Sequence, residues 1–321
     1  MSEDRDAFFD NARFLLMAAV VFGHAIEPLT GQSRALAATY TWLYAFHMPL
    51  FVFIAGHFAH ASLRIRPLFT RLLLPYVLLQ FAYTWFGHVV HKTPEWGLHL
   101  LTPDWILWFL LSLLWWRLFL PLWLRLPQPL VLACLLALLA GYVGAIGYPL
   151  SVSRTLVFFP FFVLGHLTTA PLLARLSTPK LRWLAVPLLL AAWLLARKVA
   201  PLFDVRWLYG SFAYAALGQG ALLAAQWRLL QLVVALLLGA AVLACVPRQR
   251  FRWTELGSRS LYAFVLHGFV IQGGRAAGWF TPELTSALGK LLLLVASVLL
   301  TVVLCSRPVR KLFRPLLEPS L

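Results

Sequence analysis

Acidic residues and cysteine are scarce in this chain of 321 residues. It contains 11 Asp and Glu against 27 Lys and Arg, and only three cysteines. The cysteines, Cys134, Cys245 and Cys305, lie in three separate apolar runs. This dispersal argues against a disulfide framework and against a cysteine-ligated zinc site. We therefore predict that the cysteines are packing residues.

Charged residues of either sign are also few. They make up 12% of the chain, whereas 61% of the residues are hydrophobic and the mean hydropathy is +0.81. No water-soluble domain of this length could bury so much apolar surface. Apolar runs of roughly 17 to 25 residues, long enough to cross a bilayer of about 30 Å, recur along nearly the whole sequence. The composition predicts an all-α, polytopic integral membrane helix bundle, with one integral domain over residues 1–321.

Ten apolar runs are candidate transmembrane helices. The predicted spans are 13–31, 42–62, 71–91, 104–124, 129–147, 154–173, 183–200, 229–246, 260–279 and 285–305. An eleventh run, 207–226, contains three glycines and two glutamines. We expect it to form an interfacial or re-entrant helix rather than a span.

The basic residues gather in four short segments, 64–71, 175–182, 248–252 and 307–314. With the N-terminus inside, ten spans place all four segments in the cytoplasm, as the positive-inside tendency requires. The net charge of +16 would suggest a nucleic-acid partner in a soluble protein, but the sequence carries no nucleic-acid-binding motif. We predict a multi-pass plasma-membrane protein with both termini in the cytoplasm, basic anchors against anionic lipid and no nucleic-acid partner.

The first span carries ionisable residues where hydrocarbon is expected. Arg13 and His24 are eleven residues apart, which is about three helical turns and about 16 Å along the axis, so both lie on one helix face. Glu27 follows three residues after His24, on a similar face. Ionisable groups at this depth usually face a polar interior site. The alternative is a histidine that only makes a hydrogen bond between helices.

Five sequence blocks make a family resemblance visible. They are the Arg13–ten residues–His24 pattern, YAFHMPLFVFIAGHF (44–58), WILWFLLSLLWWRL (105–118), FFPFFVLGHL (158–167) and ELGSRSLYAFVLHGFVI (255–271). In this order they resemble the membrane-bound acyltransferase-3 family, whose members O-acylate sugars and other hydroxyl compounds, and within it the fucose 4-O-acetylase-like branch. The second block departs from the family pattern, because Ala55, Gly56 and His57 stand where a Ser-Gly-aromatic triplet is common.

The resemblance implies an O-acyltransferase. The donor would be a cytoplasmic acyl-CoA, most often acetyl-CoA, and the acceptor a hydroxyl of a glycan or another extracytoplasmic or lipid-linked compound. Arg13, with Arg64 and Arg66, would bind the phosphates of CoA. His24 would act as general base, since an imidazole can accept a proton near neutral pH. Glu27 would orient His24, although an interfacial carboxylate that faces water is an equal alternative.

Other side chains are candidates for the same site. His47, at the outer entrance of the second predicted span, could orient the acceptor or the catalytic pair, or could be a simple interfacial histidine. His267 is a candidate for a shared polar cavity, and Trp108 and Phe109 are candidates for acceptor binding because of their block. For His166, a hydrogen bond between helices is the simpler expectation. No helix-spaced metal motif occurs, so we expect no metal.

His57 and His60 precede Arg64 and Arg66 near the end of the second predicted span. This quartet could extend a CoA phosphate site, but a solvated helix end with ordinary basic anchors is the default. A different class of function is a transporter or flippase with a buried histidine proton relay. The absence of evident inverted repeats and the ordered family blocks favour the enzyme.

Overall fold

The computed structural model describes residues 6–92, 97–176, 178–218 and 220–319. These residues form helices, turns and loops, and none of them lies in a β-strand. The prediction of an all-α helix bundle is therefore confirmed.

The described residues contain fifteen α-helices, numbered in chain order. They are α1 (Ala7–Ile26), α2 (Arg34–His57), α3 (Ile65–Leu68), α4 (Leu74–His91), α5 (Trp108–Trp123), α6 (Pro129–Ala140), α7 (Val152–Leu167), α8 (Ala170–Leu176), α9 (Pro179–Val199), α10 (Arg206–Tyr209), α11 (Ala221–Cys245), α12 (Thr254–Gly257), α13 (Ser260–Ala276), α14 (Ala287–Leu304) and α15 (Arg307–Leu317). A π-helical turn, Phe69–Leu73, joins α3 to α4.

Eight helices among the described residues are long and apolar enough to cross a membrane. They run over Ala7–Leu29, Arg34–His57, Ile65–His91, Trp105–Trp123, Pro149–Leu167, Pro179–Val199, Leu223–Cys245 and Ala287–Leu304. The other two predicted spans correspond to α6, with 12 residues, and α13, with 17. At about 1.5 Å per residue they measure about 18 and 26 Å, less than the roughly 30 Å of a hydrocarbon core.

The second predicted span, 42–62, is displaced along the chain. The helix α2 begins at Arg34 and ends at His57, because residues 34–38 are Arg, Ala, Leu, Ala and Ala, which are all strong helix formers. His47 therefore lies inside the helix and is buried, with 3% exposed, and its role in orienting the acceptor or the catalytic pair stays a prediction. His60 lies past the end of α2 rather than on its last turn.

The segment 207–226 is not one helix. It contains the end of α10, a 3-10 turn at Ala215–Leu217 and the start of α11. Gly210 and Gly218 both adopt a left-handed conformation with φ of 66° and 69°, which glycine tolerates without steric strain. The predicted single interfacial or re-entrant helix is therefore wrong, since these glycines interrupt it.

The chain forms two compact units, each assembled from separated segments. The first comprises the described part of Met1–His47 with Pro171–Phe203 and Leu238–Arg314. In this unit α1 packs against α12, α13 and α14. The side chain of Asp6 caps the first turn of α1 by accepting a hydrogen bond from the Phe8 backbone N–H at 2.9 Å. The helix then continues unbroken, which confirms that Arg13 and His24 share one helix.

The second unit comprises Met48–Ala170 and Asp204–Leu237 with the described part of Pro315–Leu321. In it α7 packs against α5 and α6. Two glycines allow the end of α2 to touch α7, because a Cβ on Gly56 would lie 2.0 Å from the Phe162 carbonyl oxygen and one on Gly165 equally close to that of Phe53. The ring of His166 also donates to the Ala59 carbonyl oxygen at 3.1 Å. Ala59 lies just past the end of α2, so this bond joins α7 to the segment that follows α2 and not to a second helix.

Gly56→Ala should therefore destabilise the protein. The added methyl would collide with backbone rather than with a flexible side chain, so we expect a loss of about 1–3 kcal/mol in unfolding free energy. Gly87→Ala on α4 is the matched control, because nothing lies within 4 Å of its Cβ position. Thermal unfolding in detergent measures both variants. A Gly56→Ala protein that melts at or above the wild-type temperature would contradict the close packing of α2 on α7.

Candidate active site

The C-terminal end of α1 carries His24 into a cluster of polar side chains in the first unit. The helix ends at Ile26 and continues as a 3-10 turn over Glu27–Leu29. This turn places the Glu27 carboxylate beside the His24 ring, with Oε2 3.5 Å from Nδ1. The histidine side chain is mostly covered, with 13% exposed, and that of Glu27 is 31% exposed. The predicted His24–Glu27 pair is thus present.

Tyr44 on α2 contacts the same nitrogen. Its hydroxyl lies 3.2 Å from His24 Nδ1, and its ring stacks on Tyr40 with centroids 3.9 Å apart. A Cβ on Gly23 would lie 3.3 Å from the Tyr44 ring. The absence of a side chain at residue 23 therefore gives this tyrosine room next to His24.

Arg275, near the end of α13, binds Glu27, the acidic residue of the cluster. One of its terminal nitrogens donates to Glu27 Oε2 at 2.7 Å and to the His24 carbonyl oxygen at 3.2 Å. A charge-assisted contact of this length is among the stronger hydrogen bonds in proteins. Arg275 therefore binds both the Glu27 carboxylate and the backbone carbonyl of His24.

These contacts favour one tautomer of His24. An ion-paired carboxylate can only accept hydrogen bonds, whereas the Tyr44 hydroxyl can either donate or accept. Glu27 therefore favours a proton on Nδ1, which leaves the lone pair of the ring on Nε2. This is the arrangement in which an imidazole serves as a base while a carboxylate holds its other nitrogen. The distance of 3.5 Å between Glu27 and His24 is long, as catalytic contacts often are before substrate binds.

Two further histidines lie against this cluster. The ring of His267 is 5.4 Å from that of His24, and Tyr44 meets the ring of His47 edge-on at 4.5 Å. Each of the two donates its Nδ1–H to a carbonyl of its own helix, His267 to Ala263 at 2.8 Å and His47 to Leu43 at 2.7 Å. Both are buried. The structure therefore brings His24, Glu27, His47 and His267 together.

Arg13 lies at the other end of α1. One of its guanidinium nitrogens is 3.0 Å from the Asp10 carboxylate, and the backbone of Asp10 packs against Gly257. The neighbouring Asn11 donates to the carbonyls of Pro247 and Gln249 and accepts from the Thr254 hydroxyl. This end of α1 therefore contacts both α12 and the segment before it, about 16 Å from His24 along the helix.

The predicted acceptor residues Trp108 and Phe109 belong to the second unit. Trp108 is 9% exposed, because it stacks on Phe158 and the Arg154 guanidinium lies 5.1 Å from its ring centroid. Phe109 is partly exposed and meets Trp116 edge-on. Much of the Trp108 ring face is therefore already covered by protein.

Sequence reasoning missed Tyr44 and Arg275. Arg275 is the one charged residue of the predicted span 260–279, and a lone cation in a membrane span is itself a signal of an interior partner. Tyr44 carried no comparable signal, because interfacial tyrosines are common in membrane helices. Among the residues that the structure describes, no group of three His, Cys, Asp or Glu is placed to hold a metal ion.

Comparison with known protein families identifies the family of this chain. The acyltransferase-3 family model, described as an acyltransferase domain, matches residues 6–306. No curated protein and no solved structure matches the chain. The family match covers all of α1 to α14 and so includes every residue of the cluster around His24. The chain therefore belongs to the acyltransferase-3 family and is a multi-pass membrane acyltransferase.

Proposed function

We propose that this acyltransferase moves an acetyl group from acetyl-CoA to a hydroxyl of a glycan or a related extracytoplasmic acceptor, with His24 as general base. The observation that carries the proposal is the chain of contacts from Arg275 through Glu27 to His24 Nδ1. Such a chain suits an imidazole that accepts a proton on its other nitrogen and is stabilised as a cation afterwards.

In the proposed reaction, Nε2 of His24 accepts the proton of the acceptor hydroxyl. The hydroxyl oxygen attacks the thioester carbonyl and forms a tetrahedral intermediate. Collapse of the intermediate breaks the carbon–sulfur bond, and the protonated His24 returns the proton to the leaving thiolate. The products are an acetyl ester and CoA with a free thiol, and the enzyme recovers its starting state. Glu27 stabilises the imidazolium that exists between the two proton transfers.

The acceptor class rests on the family rather than on a sugar contact. The likeness to the fucose 4-O-acetylase-like branch supports a sugar hydroxyl. Phe109 is the better exposed of the two aromatic candidates, while Trp108 is largely covered. We propose that Phe109 contributes apolar surface to acceptor binding and that Trp108 supports it in the block they share.

The arginines proposed for the CoA phosphates differ in their support. Arg64 lines a basic cavity of the second unit, whereas Arg66 is not among the described residues that line it. Arg13 is ion-paired with Asp10. Donor binding in this proposal therefore depends most on Arg64.

A transfer assay tests the proposal. Purified protein in lipid is given acetyl-CoA labelled in the acetyl group and a panel of glycosyl acceptors, and the products are treated with hydroxylamine, which cleaves esters and spares amides. We expect label in a hydroxylamine-sensitive product and release of CoA thiol in equal amount. Transfer only to amines, or proton-coupled flux without any transfer, would contradict the proposal.

A further inference from the structure

The loop of residues 99–104, which leads into α5, is held against one face of α4 in the second unit. That face carries Tyr76, Gln80 and Thr84, which are four residues apart in the sequence. The Tyr76 hydroxyl donates to the Leu100 carbonyl oxygen at 2.7 Å. Tyr76 and Gln80 are both buried. The loop is therefore attached by α4 to the interior of this unit.

Gln80 makes three of the contacts to this loop. Its amide nitrogen donates to the carbonyl oxygens of His99 and Thr102, both at 3.1 Å, and its Oε1 accepts from the Asp104 backbone N–H at 2.9 Å. A buried amide whose nitrogen and oxygen are both hydrogen-bonded makes the backbone that it binds rigid. Together with the Tyr76 bond, four hydrogen bonds hold the 99–104 loop without using a carboxylate.

The carboxylate of Asp104 has a different partner. Its Oδ2 accepts from the Thr84 hydroxyl at 2.7 Å. Asp104 directly precedes the 3-10 turn Trp105–Leu107, a position where aspartate often caps the backbone, but its side chain makes no capping hydrogen bond. Within the described part of the chain it also forms no salt bridge. Neither helix capping nor ion pairing therefore explains this partly exposed carboxylate.

Keeping a carboxylate at this position costs free energy. Asp104 comes immediately before Trp105–Trp123, a segment that is long and apolar enough to cross a membrane. Ionisable groups beside hydrocarbon are expensive, and those that are retained usually serve a function. The next residue, Trp105, has a positive φ of 38°, a strained conformation for an aromatic residue and one that is common at ligand sites. Both features point to a binding role for this short stretch.

We propose that Asp104 binds hydroxyl groups of the acceptor glycan and that the partly exposed Trp105 adds apolar surface to the contact proposed for Phe109. The inference deepens the proposed function and rests on its glycan acceptor. An ionised carboxylate can only accept hydrogen bonds, so its ligand must donate them, and a sugar ring presents several hydroxyl donors. Aromatic side chains offer apolar area to the faces of such a ring. In the predicted topology the third span ends outside the cytoplasm, on the side of the acceptor.

Steady-state kinetics of the full chain in nanodiscs test this inference. The acceptor probes are methyl glycosides of fucose, galactose and glucose, each with analogues that lack one hydroxyl. Asp104→Asn keeps the size of the side chain and removes its charge. We expect the KM for the glycoside to rise about tenfold or more, the effect of losing a hydrogen bond to a charged group. Turnover at saturating glycoside and the KM for acetyl-CoA should stay within about twofold of wild type, because the lost contact contributes to binding and not to the chemical step.

The deoxy analogues and two further variants identify the contact. In wild-type protein, removing the hydroxyl that Asp104 binds should raise KM about as much as Asp104→Asn does, and the same analogue should then raise the KM of the variant little further. Thr84→Val removes the hydroxyl that orients the carboxylate and should raise the glycoside KM about threefold, the effect of one neutral hydrogen bond. Thr84→Ser should restore it. These variants keep Asp104 and the Gln80 contacts, so they test the inference even if Asp104→Asn folds poorly.

The control is Asp204→Asn in the same unit. Asp204 is already paired with Arg206 at 2.7 Å, so its loss should leave the glycoside KM within about twofold of wild type. An unchanged glycoside KM in well-folded Asp104→Asn protein, or equal effects of every deoxy analogue on variant and wild type, would overturn the inference and leave the proposed function intact. Transfer by wild-type protein to none of the glycosides would instead contradict the glycan acceptor itself, and the inference with it.

Discussion

Replacing His24 with alanine is expected to lower the turnover of acetyl transfer by about 10²- to 10⁴-fold, the usual contribution of a positioned general base. The side chain contacts Glu27 and Tyr44 through Nδ1, so alanine removes the proposed proton acceptor without removing either neighbour. The measurement is the turnover number at saturating acetyl-CoA and acceptor, made on protein that elutes as a single species and melts cooperatively.

The matched control for this variant is His91→Ala. His91 is exposed at the end of α4, so its loss should leave turnover unchanged. Added imidazole supplies a second check, because a small base that enters the space left by the side chain should restore part of the activity of His24→Ala and none in the control. Wild-type turnover in a well-folded His24→Ala protein would exclude His24 as the base.

How much of this site the sequence could predict depends on how far apart in the sequence the contacting residues are. Helical periodicity alone predicts that Arg13 and His24 share a face of α1, and Glu27 follows within three residues in the 3-10 turn that continues the helix. The partner of Glu27 could not be read in the same way. Arg275 is 248 residues away in the sequence, and only the packing of α13 on α1 brings it to the carboxylate.

Other differences between the prediction and the structure come from helix boundaries that the sequence did not reveal. Hydropathy placed the second span at 42–62, but α2 begins at Arg34, because helix formation depends on backbone propensity as well as on apolarity. Because α2 begins earlier than predicted, His47 lies within the helix, where it is buried beside Tyr44. Two residues of the basic cavity, His60 and Arg64, were already candidates for a phosphate site, but Arg117 was missed. Arg117 is the single charge of an otherwise apolar block, and only folding places it with Arg71 in the lining of this cavity.

The second large effect is expected from Arg275→Met. The substitution keeps an unbranched apolar stem but removes the guanidinium that binds Glu27 Oε2 at 2.7 Å and the His24 carbonyl oxygen. Without it, Glu27 and the end of α1 lose the contact that fixes them, so His24 is no longer held in one tautomer and orientation. We expect turnover to fall by at least about tenfold and by no more than the about 10⁴-fold that losing an orienting carboxylate costs in a catalytic triad. The KM for acetyl-CoA should change little.

A double-mutant cycle separates this positioning role from a general loss of structure. Residues that act as one unit are strongly non-additive. Arg275→Met should therefore have little further effect on turnover once His24 is alanine, because no base remains to be positioned. Full additivity of the two changes would show that Arg275 acts elsewhere in the protein.

The control for Arg275→Met is Arg206→Met. Arg206 forms an ion pair with Asp204 at the same nitrogen–oxygen distance of 2.7 Å, but its side chain is 48% exposed. Exposed ion pairs contribute little to stability, so Arg206→Met should keep both the wild-type melting temperature and the wild-type turnover. The two variants remove the same kind of ion pair, but only the pair of Arg275 lies beside the proposed base His24. Equal losses of turnover in both would mean that the Arg275–Glu27 pair has no special relation to His24, and the proposed base would then lose its main structural support.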